Sequence, residues 1–137
     1  MMKKKTIRVG VLLSLLCLAT GAVIVYRMYN QPHRSAETEN AVAMSAKQLA
    51  EEYERDEAGA NKKYLGNAVQ VNGTVSEVSV NQQNKPVIVL AGTGMSGIQC
   101  SLLKETDGIK KGDAVTIKGF CSGYLTDVVI DRCIVYH

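Results

Sequence analysis

The feature that most constrains this chain is an uninterrupted apolar run near its N-terminus. From Val9 to Tyr26, eighteen residues follow one another without a charged side chain, and four basic residues precede them. At about 1.5 Å per helical residue the run spans roughly 27 Å, close to the hydrocarbon thickness of a bilayer. Because basic flanks stay on the cytoplasmic side, residues 1–29 are predicted to be a single-pass signal anchor with a cytoplasmic N-terminus. The lipid bilayer would contact residues 9–26.

Two other interpretations of this segment stay open. Small residues from Ala19 to Ala22 resemble a signal-peptidase site, although Val23 and the two residues after it extend the apolar run. A lipoprotein carries a small residue before its modified cysteine, whereas Leu16 precedes Cys17. All three interpretations export the rest of the chain. We therefore expect a protein of the bacterial inner membrane whose folded domain is periplasmic.

Charge is distributed unevenly along the chain. The first 34 residues hold six basic residues and no acidic one, while the remainder holds ten Lys and Arg against thirteen Asp and Glu. The basic pI thus arises from the N-terminus. It is no sign of a nucleic-acid partner.

The segment after the anchor is polar and then becomes helical. Residues 30–44 lack periodicity and contain one Pro, which predicts a flexible linker. Ser45, with Gln48 three positions later, forms a capping-box pattern. One leading helix is predicted over 45–63, with Leu49 and Tyr53 on its apolar stripe. This helix and the residues after it make one predicted domain over 45–137.

From residue 66 onward the hydrophobic period changes to two, which predicts a barrel over 66–137. Gly73 and Gly119 each interrupt a strong strand, as closed barrels require where a strand bends. The predicted fold class is all-β with an N-terminal helix: a five-stranded OB-fold Greek-key barrel preceded by a transmembrane helix. An SH3-like barrel is the alternative. The five predicted strands are Ala68–Val80, Pro86–Gly92, Gly97–Leu103, Asp113–Tyr124 and Thr126–His137.

The C-terminal half carries a resemblance to a known family. Its most specific part is a pattern of glycines, cysteines and apolar residues, namely Gly119, Cys121, Gly123, Leu125, Asp127, Val128, Ile130 and Cys133. This pattern, with the strands before it, resembles the tRNA_anti-like family of small exported OB-fold proteins. The family occurs as lipoproteins and membrane-anchored proteins, chiefly in Bacteroidetes-type bacteria. The resemblance implies an OB-fold, and the family name reflects fold similarity to anticodon-binding domains without implying tRNA binding.

The cysteines of the barrel suggest a disulfide. Zinc normally needs four ligands with a close cysteine pair, and three dispersed cysteines with His137 do not supply one, so no metal and no cofactor is expected. In an oxidising compartment cysteines pair, which predicts Cys121–Cys133. The turn between them would place Cys121 opposite Ile130, however. Cys100–Cys133 is therefore the alternative, because the third and fifth strands of an OB-fold are neighbours.

No catalytic set is visible, and the chain is not expected to be an enzyme. Asp127 lies at a hairpin turn, and with Gly73, Gly119 and Gly123 it is assigned a structural role. The segment Gly92–Gly97 predicts a flexible loop. By OB-fold precedent a ligand would contact the second and third strands and their loops, which gives as candidates Lys85, Gln99, Ser101, Lys104 and Tyr124.

We predict a membrane-anchored binding or assembly module without enzymatic activity. Its partner would be an envelope protein, a peptide or a glycan, and the sequence does not specify an oligomeric state. The alternative is a single-stranded nucleic-acid-binding OB-fold protein. From Ala60 onward the chain holds eight basic against six acidic residues, a weak positive charge, and this charge and a poor supply of aromatic residues argue against it.

Overall fold

A computed structural model describes residues 2–30, 34–105 and 107–136 of the chain. Two compact units are present, residues 1–33 and residues 34–137. The elements are α1 (Met2–Tyr29), β1 (Val42–Ser45), α2 (Ala46–Arg55), α3 (Glu57–Tyr64), β2 (Ala68–Val80), β3 (Pro86–Leu90), β4 (Ile98–Leu102), β5 (Ala114–Tyr124) and β6 (Val128–Tyr136).

The first unit is one long helix. From Lys3 to Tyr29 it has a mean hydropathy of 2.4, and it is long and apolar enough to cross a membrane. Its described side chains are exposed on all sides. An all-round apolar helix of this length suits a bilayer better than water. The predicted N-terminal apolar helix is thus present.

The second unit is a closed barrel. Its strands follow the order β1-β2-β3-β4-β6-β5, and a further pairing of β2 with β5 closes the circle. The pairings inside the barrel are antiparallel except for β4 with β6, which run parallel. This is the predicted five-stranded OB-fold, and the predicted neighbourhood of the third and fifth barrel strands is confirmed. Alternating inward residues fill its interior, among them Val71, Ile88, Ile98, Ile117 and Ile130.

Two short helices pack against the barrel where one helix was predicted over 45–63. Ser45 begins α2 as expected, its hydroxyl accepting the Gln48 N–H at 3.1 Å. Asp56 then leaves the helical conformation, with φ −155° and ψ 87°, and caps α3 by accepting the Gly59 N–H at 3.0 Å. Gly59 allows this cap, because a Cβ there would lie 2.3 Å from the Asp56 carboxylate. A capping side chain within an otherwise helical pattern therefore divides the helix.

The segment predicted as a flexible linker over 30–44 is largely docked on the barrel. Ala36 is buried against Ala68 and Phe120, and the Lys118 ammonium donates to the Glu37 carbonyl at 3.5 Å. The following residues form β1, which pairs parallel with the first half of β2. The linker prediction is wrong for residues 34–44. Although this sequence is polar and lacks periodicity, it pairs with the edge of β2 and packs on the apolar patch around Phe120.

Candidate ligand-binding surface

The loop between β2 and β3 is built by one asparagine side chain. Asn81 Oδ1 accepts the N–H groups of Gln83 at 2.9 Å and of Lys85 at 3.0 Å. Asn84 takes a left-handed conformation with φ 60°, which asparagine tolerates better than most residues. These bonds fix the loop internally and hold Lys85 at the start of β3.

Two of the predicted ligand residues meet beside this loop. Lys85 and Ser101 line one surface cavity of about 330 Å³, together with Asn81, Gln83 and Arg132 among others. Ser101 faces outward because its neighbours on β4 point into the core. The cavity wall thus combines two cations, a carboxylate, amides and a hydroxyl.

The remaining predicted ligand residues lie apart from this cavity. Gln99 faces outward on β4 between Val89 of β3 and Val129 of β6. Lys104 is exposed in the connection after β4 and lines a neighbouring cavity of about 230 Å³. The structure therefore brings Lys85 and Ser101 together in one cavity, whereas Gln99 and Lys104 do not line it.

Tyr124 is engaged in packing. Its ring stacks on Tyr53 of α2 with centroids 5.6 Å apart and an interplanar angle of 21°. Tyr53 also contacts Tyr64, at 6.3 Å between centroids. Tyr53 and Tyr64 are buried, so this cluster joins the helices to the end of β5. One face of the Tyr124 ring is consequently covered by Tyr53 and is not free to contact a ligand.

One stretch of β2 has a strand neighbour on a single side. The pairing with β5 ends near Val75, which makes two backbone hydrogen bonds with residues 112–113. Beyond it, residues 76–80 pair only with β3 within the described part of the chain. Val78 and Val80 lie there with 45% and 65% of their surface exposed.

The direction of the ladder hydrogen bonds shows which backbone groups this edge presents. The Asn81 N–H donates to the Lys85 carbonyl at 2.9 Å, so the Asn81 backbone faces β3. Because this direction alternates along a strand, Ser79 also faces β3 while Val78 and Val80 face away. Each of these two valines therefore presents an N–H and a carbonyl at the open edge. Alternation in the sequence predicted the strand but gave no sign that its edge stays open.

The glycine-rich loop after β3 is held in place, unlike the flexible loop that was predicted. The Glu54 carboxylate of α2 accepts hydrogen bonds from the hydroxyls of both Thr93 and Ser96. These bonds lower the pKa of Glu54. At the loop's far end the Gly97 N–H donates to Asp127 Oδ1 at 2.7 Å. Sequence reasoning missed Glu54 because its partners lie about forty residues away.

The glycines assigned structural roles have distinct surroundings. A Cβ on Gly73 would lie 2.9 Å from the Ala46 Cβ, so its absence lets α2 approach β2. A Cβ on Gly119 would lie 2.7 Å from the Cys133 sulfur. Gly123 has φ 126°, a conformation that favours glycine, beside a register shift between β5 and β6.

The predicted Cys121–Cys133 disulfide is not present, and all four cysteines are free thiols. Cys121 pairs with Ile130, as the turn geometry suggested, and its sulfur lies 3.2 Å from the Tyr53 hydroxyl. Cys133 instead lies in register with Leu102 of β4. Closeness in the sequence was therefore a poor guide to disulfide pairing. The register of β5 with β6 places Cys121 opposite Ile130 and not opposite Cys133.

Arg132 marks an irregularity in β6. It has a left-handed φ of 52°, and its guanidinium lies over the Phe120 ring at 4.2 Å from the centroid. Arg34 also lies over this ring, at 5.1 Å. The Arg34 guanidinium additionally pairs with Glu39 at 2.8 Å, which lowers the pKa of that carboxyl. These contacts fix the docked segment around Phe120.

Within the described ranges, no group of three or more His, Cys, Asp or Glu side chains is placed to hold a metal ion. His137, the residue considered as a fourth zinc ligand, lies outside the described residues.

The family can be assigned directly. Residues 1–135 match the tRNA_anti-like family. This chain belongs to the tRNA_anti-like family. One solved structure similar to this chain is that of a Klebsiella pneumoniae subsp. pneumoniae protein with the provisional name nucleic acid-binding lipoprotein. The two share 16% identity and a TM-score of 0.57 over 78% of this chain and 100% of that one, a likeness that shows the fold alone. No curated protein matches the chain.

Proposed function

We propose that this tRNA_anti-like protein is a membrane-anchored, exported binding module without enzymatic activity, and that its ligand is an extended peptide segment of another envelope protein. The apolar helix α1, with its basic N-terminal flank, supports a single-pass anchor in a bacterial inner membrane, cytoplasmic N-terminus and periplasmic barrel. The Klebsiella relative, whose name includes lipoprotein, supports membrane association of this architecture.

The observation that carries the peptide assignment is the open edge of β2. Val78 and Val80 present backbone donors and acceptors along one line, with exposed β-branched side chains beside them. An extended peptide satisfies such groups by adding a strand, whereas a glycan or a nucleic-acid backbone lacks the matching alternation of N–H and carbonyl groups. The chain already uses this mode once, since β1 adds to the first half of the same strand.

The state of the reactive side chains supports a non-enzymatic role. Glu54 and Asp127 use their carboxylates in hydrogen bonds that hold loops. The three barrel cysteines are buried. Groups so engaged have little freedom to act on a bound substrate.

Single-stranded nucleic acid is the second candidate, favoured by the OB-fold and by the Klebsiella relative's name. The arrangement of the aromatic rings speaks against it. Tyr53, Tyr64 and Phe120 are buried, Tyr124 is stacked in the fold, and Tyr136 is 40% exposed near the end of β6. Base stacking on such proteins uses rows of accessible rings, which these residues do not provide.

The test combines site-specific cross-linking with one backbone change. A photoreactive residue at position 78 of the full-length protein is irradiated in intact producing cells, where it should cross-link to a protein partner. Nuclease treatment of the lysate should leave the cross-linked band unchanged. Position 125 serves as the matched control, because Leu125 is 84% exposed on a hairpin turn away from that strand. The cross-linked band should disappear when Val80→Pro removes an N–H that faces the open edge and not β3.

Two results would overturn the peptide assignment. One is a cross-link that survives Val80→Pro or appears equally at position 125. The other is binding of a 20-nucleotide oligo-dT by the full chain in detergent, with an affinity that falls steeply between low and moderate salt, which would favour the nucleic-acid alternative.

A further inference from the structure

Cys100 and Cys133 lie on neighbouring strands in the barrel interior. Cys100 is in register with Ile130, and Cys133 is in register with Leu102, so the two cysteines are diagonal neighbours across the parallel β4–β6 pairing. Their exposed fractions are 0% and 1%. This pairing is one of the contacts that close the barrel.

An extra residue in β6 turns Cys133 toward Cys100. Ile130 faces the core, and in a regular strand a residue three positions later would face outward. The register with β4 shifts between Cys100 and Leu102, and Arg132 takes its left-handed conformation within this shift. The bulge therefore restores an inward direction to Cys133, at the cost of backbone strain at a non-glycine residue.

Gly119 on the other neighbouring strand provides the space for this sulfur. A Cβ at that position would lie 2.7 Å from the Cys133 Sγ, closer than such contacts allow. The Cys133 thiol donates to the Ile130 carbonyl at 3.2 Å. Burial raises the pKa of the Cys133 thiol, and Cys100 raises it further.

Cys121 is kept apart from this pair. Its sulfur is 3.2 Å from the Tyr53 hydroxyl, and its strand partner is Ile130. The three barrel cysteines thus divide into one adjacent pair and one single thiol.

We propose that Cys100 and Cys133 are a dithiol pair that is oxidised to a disulfide while the barrel folds, and that Cys121 stays a thiol. One thiolate attacks a disulfide donor and releases one donor thiol. The second thiolate then attacks this mixed disulfide, forms the Cys100–Cys133 bond and releases the other donor thiol. The two cysteines lose two electrons and two protons, and the donor disulfide gains them.

The burial of the pair sets the order of events. Neither sulfur is reachable by a bulky disulfide once β6 lies on β4, so exchange has to precede closure of the barrel. The folded protein then preserves whichever state it closed in. Reduced folded protein should resist oxidation, and oxidised folded protein should resist reductants.

The experiment refolds the reduced full chain in detergent from urea with glutathione and glutathione disulfide. Peptide mapping after alkylation should join the peptides of Cys100 and Cys133 and find Cys121 alkylated, with an intact mass about 2 Da lower. Cys121→Ser should leave the bond intact. Cys100→Ser and Cys133→Ser should each abolish it. Native reduced protein placed in the same buffer should stay reduced over the refolding time.

Three outcomes would overturn the proposal: three alkylated barrel cysteines after refolding, a bond that includes Cys121, or rapid oxidation of the native reduced protein. Mapping of the wild-type chain decides the first two even if a serine variant fails to fold. The test uses purified protein, so its result is independent of the peptide-binding proposal.

Discussion

Asp127 Oδ1 accepts the backbone N–H of Gly97 at 2.7 Å and thereby joins two loops that lie thirty positions apart. The Val128 N–H donates in turn to the Gly97 carbonyl at 3.0 Å. A residue that reads as a local turn former is in fact a cross-loop acceptor. The glycine-rich loop and the β5–β6 hairpin therefore hold each other.

Removing this carboxylate should destabilise the barrel. We expect Asp127→Ala to lower the free energy of unfolding by about 1–3 kcal/mol, the usual effect of losing a hydrogen bond to a charged group. Asp127→Asn should cost less, because an amide oxygen can still accept. Urea unfolding followed by circular dichroism measures both. Asp107→Ala, at an exposed position, should change stability by under about 0.5 kcal/mol; an equal loss there would remove the cross-loop explanation.

Gly119 should tolerate a methyl group poorly. A Cβ would meet the Cys133 sulfur, the Ile130 side chain and the Asp131 carbonyl, all within 2.8 Å. Overpacking of this kind costs about 1–3 kcal/mol, so Gly119→Ala should unfold at lower urea concentration.

Gly94→Ala is the matched control for that substitution. No atom lies within 4 Å of a Cβ placed on Gly94. Its unfolding midpoint should stay the same or rise slightly, because alanine reduces the freedom of the unfolded chain. Equal unfolding midpoints for the two variants would contradict the idea that the missing side chain of Gly119 provides space for the Cys133 sulfur.

Glu52 should give the stability a measurable acid dependence. The Tyr64 hydroxyl donates to its carboxylate at 2.8 Å and Lys63 lies at 3.2 Å, and the Tyr64 bond chiefly lowers the pKa of Glu52. The associated stabilisation is present above the unfolded pKa of about 4.3 and is lost as pH falls through the lower folded value. Glu52→Gln should cost about 1 kcal/mol at pH 7.

The difference between wild type and Glu52→Gln should shrink as the pH falls below about 4, because both then carry a neutral side chain. Burial and the bond to Glu52 also raise the pKa of Tyr64 to about 12. That contribution is complete below the unfolded tyrosine value of about 10 and is lost as pH rises toward 12. Urea titrations of both proteins at pH 3, 7 and 11 test the acidic and the alkaline loss of stability. A difference in free energy of unfolding between wild type and Glu52→Gln that does not change with pH would contradict these expectations.

The Cys100–Cys133 bond should stabilise the domain strongly. It would close a loop of about 33 residues, worth roughly 4 kcal/mol in the chain-entropy model. For a domain of about one hundred residues this corresponds to a rise in Tm of roughly 15–30 °C. Calorimetry of protein refolded with and without glutathione disulfide measures the shift. A lower Tm in the oxidised sample would show that the bond strains the barrel.

Periodicity and spacing determined the outline of this protein. The charge-free run near the N-terminus predicted the N-terminal helix. This run is longer than an ordinary core helix, and only a bilayer or a very large core can cover such a segment. Period-two patterns with glycines inside two strands predicted the barrel, because those patterns depend on local backbone geometry. Ser45 indicated the start of α2 for the same reason: its hydroxyl reaches an N–H three residues away.

Only the tertiary structure decided the features that depend on distant partners. Asp56 breaks the leading helix, and Ala36 docks against Phe120, through contacts that no local pattern encodes. The bulge at Arg132 turns Cys133 toward the barrel interior, in register with Leu102 of β4 and not opposite Cys121. A shift of one residue in strand register changes which side chains meet inside a barrel, and that register is fixed by packing across strands far apart in the sequence.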